Sequence, residues 1–305
     1  MTPTLHAGHL EIQPHEIART VLRESGQSER DAVNPAQILA YLKLHHLSVD
    51  FAREFPAELR HRMSAAQPRA ILSVADRIIA TDSTLADTHT RFAVLHEIAH
   101  YLLPQHRHAL YVCDDLGMSA RTRVTIEQEA NSLAHELLFQ GDRFSIEAND
   151  RPPTAAIVTA LAQRYRASLE ATASRIAQKS IAPCMMVMFG QGHGPAAAPP
   201  QVPSTPSLDP DAPPSWTVRY CVPSPAFAMR HFSRISGSLP PALAARAAPH
   251  GRERTIAAVE EIDLPTTTGA QTHQRFRCEL LRSGDDLIAL IMPAESRRQR
   301  SAPAR

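Results

Sequence analysis

Between Asp87 and Pro104 the chain reads DTHTRFAVLHEIAHYLL, a stretch that few conformations suit. Phe92, Leu95, Ala99 and Leu103 recur at spacings of three and four, which makes one buried helical face, and Pro104 bars the helix from continuing. A start near Asp87 or Thr88 and an end at Leu103 are predicted. His96 and His100 lie beside the apolar stripe, one turn apart, so both imidazoles project to the same side near the interior.

Two histidines at i and i+4 can reach one tetrahedral zinc ion, and Glu97, one step round from His96, is placed to touch a water on that ion rather than the ion itself. That is the position of a general base. Zinc would lower the pKa of such a water to about 7 and polarise a carbonyl, so peptide hydrolysis is the chemistry to expect. Manganese is an ion that could stand in for zinc in vitro.

A catalytic zinc needs a third protein ligand beside an open position. The extended motif H-E-x-x-H-x-x-G-x-x-H is absent, because Leu103 stands at the glycine and His106 follows a helix-breaking proline. A carboxylate from a later helix, VTIEQEANSLAHELLFQ ended by Gly141, is the better source. Glu127 shares a face with Ala130, Asn131, Ala134 and Leu138, whose small members would let two helices approach closely. Glu129 points about 200° away and is kept as the alternative ligand. Asn131, one turn beyond Glu127, is placed to support an imidazole or restrain the carboxylate from behind the ligands.

Around this motif the chain has an ordinary globular composition, 43% hydrophobic and 21% charged, and its net charge of +1 makes no global case for nucleic acid or membranes. Cys113, Cys184, Cys221 and Cys278 form no C-x-x-C pair, so neither a disulfide scaffold nor a cysteine-zinc knuckle is suggested. The polar start, MTPTLHAGHLEIQPHE, lacks a signal-peptide pattern, and no run of about 18 apolar residues occurs, so a cytoplasmic location away from membranes is the default expectation.

An α+β organisation is predicted. A helix over His15 to Ser25 and another opened by Asn34 and Pro35 precede two short strands, AILSV and RIIAT, joined by a tight turn. The second strand, over Arg77 to Thr81, leads directly into the motif helix, and its edge is expected to be free to pair with an extended substrate. Residues 1–148 are read as the zinc peptidase domain and 149–183 as a helix-turn-helix-like pair split near Ala167, with Ser168 as a cap. Residues 184–194 and 215–295, which hold CMMVMF, WTVRYCV, FRCELL and LIALIM, are read as a C-terminal α/β domain. A proline-rich linker over 195–214 and a basic tail over 296–305 are expected to be disordered.

RFAVLHEIAHYLL followed by EQEANSLAHELLF resembles the ImmA/IrrE metallopeptidases, whose pattern couples H-E-x-x-H to E-x-x-A-N-x-F-A-x-x-L-L. Glu127, Ala130, Asn131, Ala134, Leu137 and Leu138 match that pattern, whereas Leu133 replaces the usual Phe. The resemblance implies a minimal gluzincin-like peptidase domain with zinc on His96, His100 and Glu127 and with Glu97 as acid and base. It also implies a GAF-like C-terminal domain, and as substrate a helix-turn-helix transcriptional repressor cut at few sites.

The rival reading is a DNA-binding transcription regulator with a structural or vestigial zinc site. It draws on Arg164, Arg166, Arg175 and Lys179, a local basic excess that could meet phosphates.

Overall fold

The computed structural model describes residues 13–28, 30–54, 69–106, 120–191, 216–230, 239, 255–265 and 271–294. The stretch with Cys113, the proline-rich linker and the basic tail lie outside the described residues. The chain is α+β and divides into two units, one made of residues 1–144 with 163–167 and the other of 145–162 with 168–305.

In the first unit, α1 (Pro14–Glu24) and α2 (Pro35–Leu42) open the chain, and α2 starts as its sequence predicts: Asn34 Oδ1 accepts from the amide of Ala36, and Pro35 occupies the first turn. Lys43, in the left-handed region at φ 56°, turns the chain into β1 (His45–Val49), which is followed by the short α3 (Phe51–Glu54). Next comes an antiparallel hairpin, β2 (Ala70–Ser73) and β3 (Ile78–Asp82), whose turn ends on Arg77 at φ 58°.

The sheet order is β1-β3-β2, with β1 parallel to β3. This corrects the expectation of a free edge on the strand over Arg77 to Thr81, because β3 is the central strand and is hydrogen-bonded on both sides. The outer edges belong to β1 and β2.

From Asp82 the chain runs within five residues into α4 (Asp87–Leu102). That helix stops because Leu103 takes an extended conformation (φ −85°, ψ 109°), as a residue before proline prefers. The buried face is wider than the predicted stripe: Ala93, Val94, Leu95, Ile98, Ala99 and Leu103 are all buried, while Phe92 is only partly so. α5 (Ala120–Leu138) packs on α4 with Ala130, Leu133, Ala134 and Leu137 fully buried. α1 packs on α5, and β2 and β3 pack on α4. The site helix is therefore held by a helix on one side and by its own sheet on another. Four fully buried residues of this pair, Leu95, Ile98, Leu133 and Leu137, stabilise it by about 1.5–3 kcal/mol each.

α6 (Asp142–Asn149), α7 (Ala155–Tyr165) and α8 (Leu169–Lys179) follow. The break between α7 and α8 falls where it was predicted, with Arg166 at φ 50° and Ser168 Oγ accepting from the amide of Ala171. In the second unit, β4 (Met185–Gln191), β5 (Trp216–Pro223), the short α9 (Pro225–Ala228), β6 (Thr255–Pro265), β7 (Gln271–Ser283) and β8 (Asp286–Pro293) build an antiparallel sheet of order β5-β4-β8-β7-β6.

Met185, Val187 and Phe189 of β4, Leu287, Ala289 and Ile291 of β8, and Phe276 and Leu280 of β7 alternate onto one face and join Trp216 and Phe227 in a core. Met186, Met188, Ile288 and Leu290 are buried as well, and α8 packs against β4, β5 and β8. Glu279, 3% exposed, accepts the amide of Ala155 at 2.7 Å and so serves the first turn of α7. No helix among the described residues is long and apolar enough to cross a membrane.

Candidate metal centre

α4 and α5 bring His96, His100 and Glu127 together, with one donor atom from each lying within 4.8 Å of the others. His96 Nε2 is 3.1 Å from His100 Nε2 and 3.2 Å from Glu127 Oε2, and His100 Nε2 is 3.7 Å from Glu127 Oε1. Donors held about 2.0–2.1 Å from a tetrahedral zinc are separated by about 3.3 Å, and the three distances bracket that edge. Two imidazoles and one carboxylate also form the donor set of a known class of catalytic zinc site. By distance and by chemistry the residues fit the ion.

The electrostatics agree. Hydrogen bonds with His100 and His96 hold the Glu127 carboxyl well below the usual carboxylate range, so it stands as an anion. His96 is raised above the ordinary histidine value: burial opposes its charge, but the hydrogen bond with Glu127, the nearby Glu97 and a hydrogen bond with Asn131 outweigh it. Asn131 is thus near enough to His96 to favour its charged form. His96 Nδ1 is buried with no hydrogen-bond partner among the described residues.

Glu97 is partly buried, and desolvation pushes its carboxyl above the ordinary value although His96 and His100 pull it down. A carboxylate with raised proton affinity close to such a group is suited to take up a proton.

Glu129, the alternative ligand, is not brought to this group. It faces His106, whose Nε2 is 2.8 Å from Glu129 Oε2, and it also accepts from Gln105 Nε2 at 3.2 Å. His106 stands at the spacing of the third histidine in the extended motif, yet it meets His100 from behind, Nδ1 to Nδ1 at 3.1 Å, with its side chain fully buried. Sequence reasoning set His106 aside. The signal that could have found it was the loss of helix at Pro104, which frees the following residues to turn back.

Two of the four basic residues noted around α7 and α8 are engaged within the fold. Arg175 is buried, and Arg166 pairs with Asp87 at 3.0 Å.

Residues 49–177 match the family model of the M78 peptidases described as the IrrE N-terminal-like domain. Among solved structures, a Mycobacterium tuberculosis transcriptional regulator is similar over 92% of this chain and 75% of its own, at 16% identity and a TM-score of 0.57, which is a likeness of fold. No curated protein matches the sequence.

Proposed function

We propose that this chain, whose residues 49–177 match the IrrE N-terminal-like domain, is a zinc-dependent endopeptidase that makes limited cuts in a helix-turn-helix transcriptional repressor. The observation that carries the proposal is the convergence of His96, His100 and Glu127 within 4.8 Å, beside the proton-retentive carboxyl of Glu97.

His96, His100 and Glu127 would hold the metal. Bound there, zinc supplies Lewis acidity, making water acidic enough to attack near neutral pH and polarising the scissile carbonyl. Glu97 takes the proton of the attacking water and afterwards delivers it to the leaving nitrogen, so one carboxyl serves as base and then as acid. Asn131, beside His96, would support that ring and favour its charged form.

Substrate choice follows from where a backbone can lie. An extended segment can reach such a site, whereas a helix keeps its carbonyls in its own hydrogen bonds. A folded repressor offers an extended segment only at a linker or loop, which makes cleavage limited. The choice of repressor would come from docking of whole domains. The DNA-binding alternative is weakened, because two of its four basic residues, Arg166 and Arg175, are paired or buried.

The test is incubation of the zinc-loaded full chain with purified repressors from the same genome, read by mass spectrometry of the fragments, with Glu97→Gln as control. Cuts at one or two sites in one repressor, absent from the control, are expected. Broad digestion of casein without preference for any repressor would refute the regulatory reading, and a chain that binds no zinc would refute the enzymatic one.

A further inference from the structure

We infer that His106 and Glu129 form a relay that sets the tautomer of His100 and so keeps its Nε2 lone pair aimed at the metal-binding group. The inference rests on the reading of His100 as a ligand and assigns two positioning residues to it.

The direction of each hydrogen bond follows from donor chemistry. An ionised carboxylate can only accept, so the hydrogen in the 2.8 Å contact between Glu129 Oε2 and His106 Nε2 belongs to His106. With its ring hydrogen on Nε2 facing Glu129, His106, whose side chain is 0% exposed, presents the lone pair of Nδ1 on its other side. That lone pair lies 3.1 Å from His100 Nδ1, so the hydrogen between the two rings belongs to His100. A ring protonated at Nδ1 has its lone pair at Nε2, and this is the atom 3.1 Å from His96 Nε2 and 3.7 Å from Glu127 Oε1. The chain carboxylate–imidazole–imidazole also draws electron density toward Nε2 and strengthens it as a donor.

Local structure explains how the relay arises. Continued as a helix, residue 106 would lie about 240° round from residue 100, away from the site. The extended Leu103 and the proline after it end α4, and a new turn, in which the amide of His106 donates to the oxygen of Leu103 at 3.0 Å, carries the ring back under His100. On α5, Glu127 and Glu129 project about 200° apart, which lets one helix supply a member of the ligand group and the anchor of the relay. Gln105 holds that anchor from its other side.

The experiment is a two-bond proton–nitrogen correlation spectrum of the metal-free full chain at neutral pH, with histidines labelled and His100 assigned from a His100→Ala spectrum. A His100 ring protonated at Nδ1 and unprotonated at Nε2 is expected. Glu129 is 41% exposed, so its variants keep the core intact. Glu129→Ala is expected to give a mixture of tautomers and to weaken zinc binding, measured by chelator competition, about 10- to 100-fold. In Glu129→Gln the amide oxygen can still accept, so the tautomer should persist and the loss of affinity should be smaller.

A wild-type His100 protonated at Nε2 would overturn the relay, and so would a Glu129→Ala variant with unchanged spectrum and affinity. A wild-type chain that failed to bind zinc would instead count against the function proposed above. The metal-free spectrum would still decide the relay.

Discussion

Arg91 donates through Nη2 to the backbone oxygen of Val33 at 2.6 Å, from a residue only 7% exposed. The bond ties the second turn of α4, five residues before His96, to the segment entering α2. Burial, together with Arg166, lowers the proton affinity of this guanidinium while Asp87 opposes the shift, so the group sits in an environment that tolerates it only because it is bonded. Arg91→Ala should therefore destabilise the first unit by about 2 kcal/mol, the range for hydrogen bonds to charged groups. Urea unfolding with an unchanged slope would register the loss; an unshifted midpoint would mean the bond contributes nothing.

Binding and chemistry should separate at neighbouring carboxylates. Glu97→Gln is expected to retain zinc while losing at least about 100-fold in cleavage, because the amide cannot take up a proton. Glu127→Ala should lose most of the metal, since two protein ligands remain where three are needed. Metal-to-protein ratios measured beside cleavage rates check both. A Glu97→Gln protein that still cuts would end the general-base assignment.

Ala134 is fully buried on α5, the helix that packs on α4. Ala134→Leu inserts three carbons into that close approach and should cost about 1–3 kcal/mol. A thermal melt would show it, and zinc affinity should fall with it if spreading the helices draws Glu127 away from the histidines. A variant as stable as the parent would show the interhelical space to be looser than the burial indicates.

The cysteines of the second unit differ in exposure. Cys184 and Cys278 are buried, Cys221 is half-buried, and burial pushes the Cys184 thiol above its ordinary range. Because a raised pKa keeps the thiol protonated, its thiolate should become available only at higher pH than for a free cysteine. Iodoacetamide at neutral pH should alkylate Cys221 first, with Cys184 and Cys278 labelled only on unfolding, as peptide mass spectrometry would reveal. Early labelling of Cys184 would contradict the packing around β4.

The parts of this structure that could be read in the sequence are those whose signals are local. The apolar spacing in α4, the proline that ends it, and the caps at Asn34 and Ser168 act within a few residues, and each was legible. β1 was not, because HHLSV has no buried alternation of its own and becomes a strand only by pairing with β3, more than thirty residues away. β6 was missed as well, although Ile256, Val259, Ile262 and Leu264 carried some strand character. Of the candidate site, His96, Glu97, His100 and Glu127 were legible from helical periodicity. His106 and its contact with Glu129 were not, since they depend on a chain reversal that periodicity does not describe.

The pairing of β3 on both sides bears on where the chain can be cut. The residues that match the family begin at Val49, the last residue of β1. A fragment of 49–177 would strip β3 of its parallel partner and α5 of its contact with α1. It would also remove Val33 from Arg91, and the Asp31 oxygen from Gln140 and Arg143. The stretch that matches the family and the stretch that holds it in place are thus different lengths of chain: residues 13–48 act as a built-in brace for the helices that carry His96, His100 and Glu127.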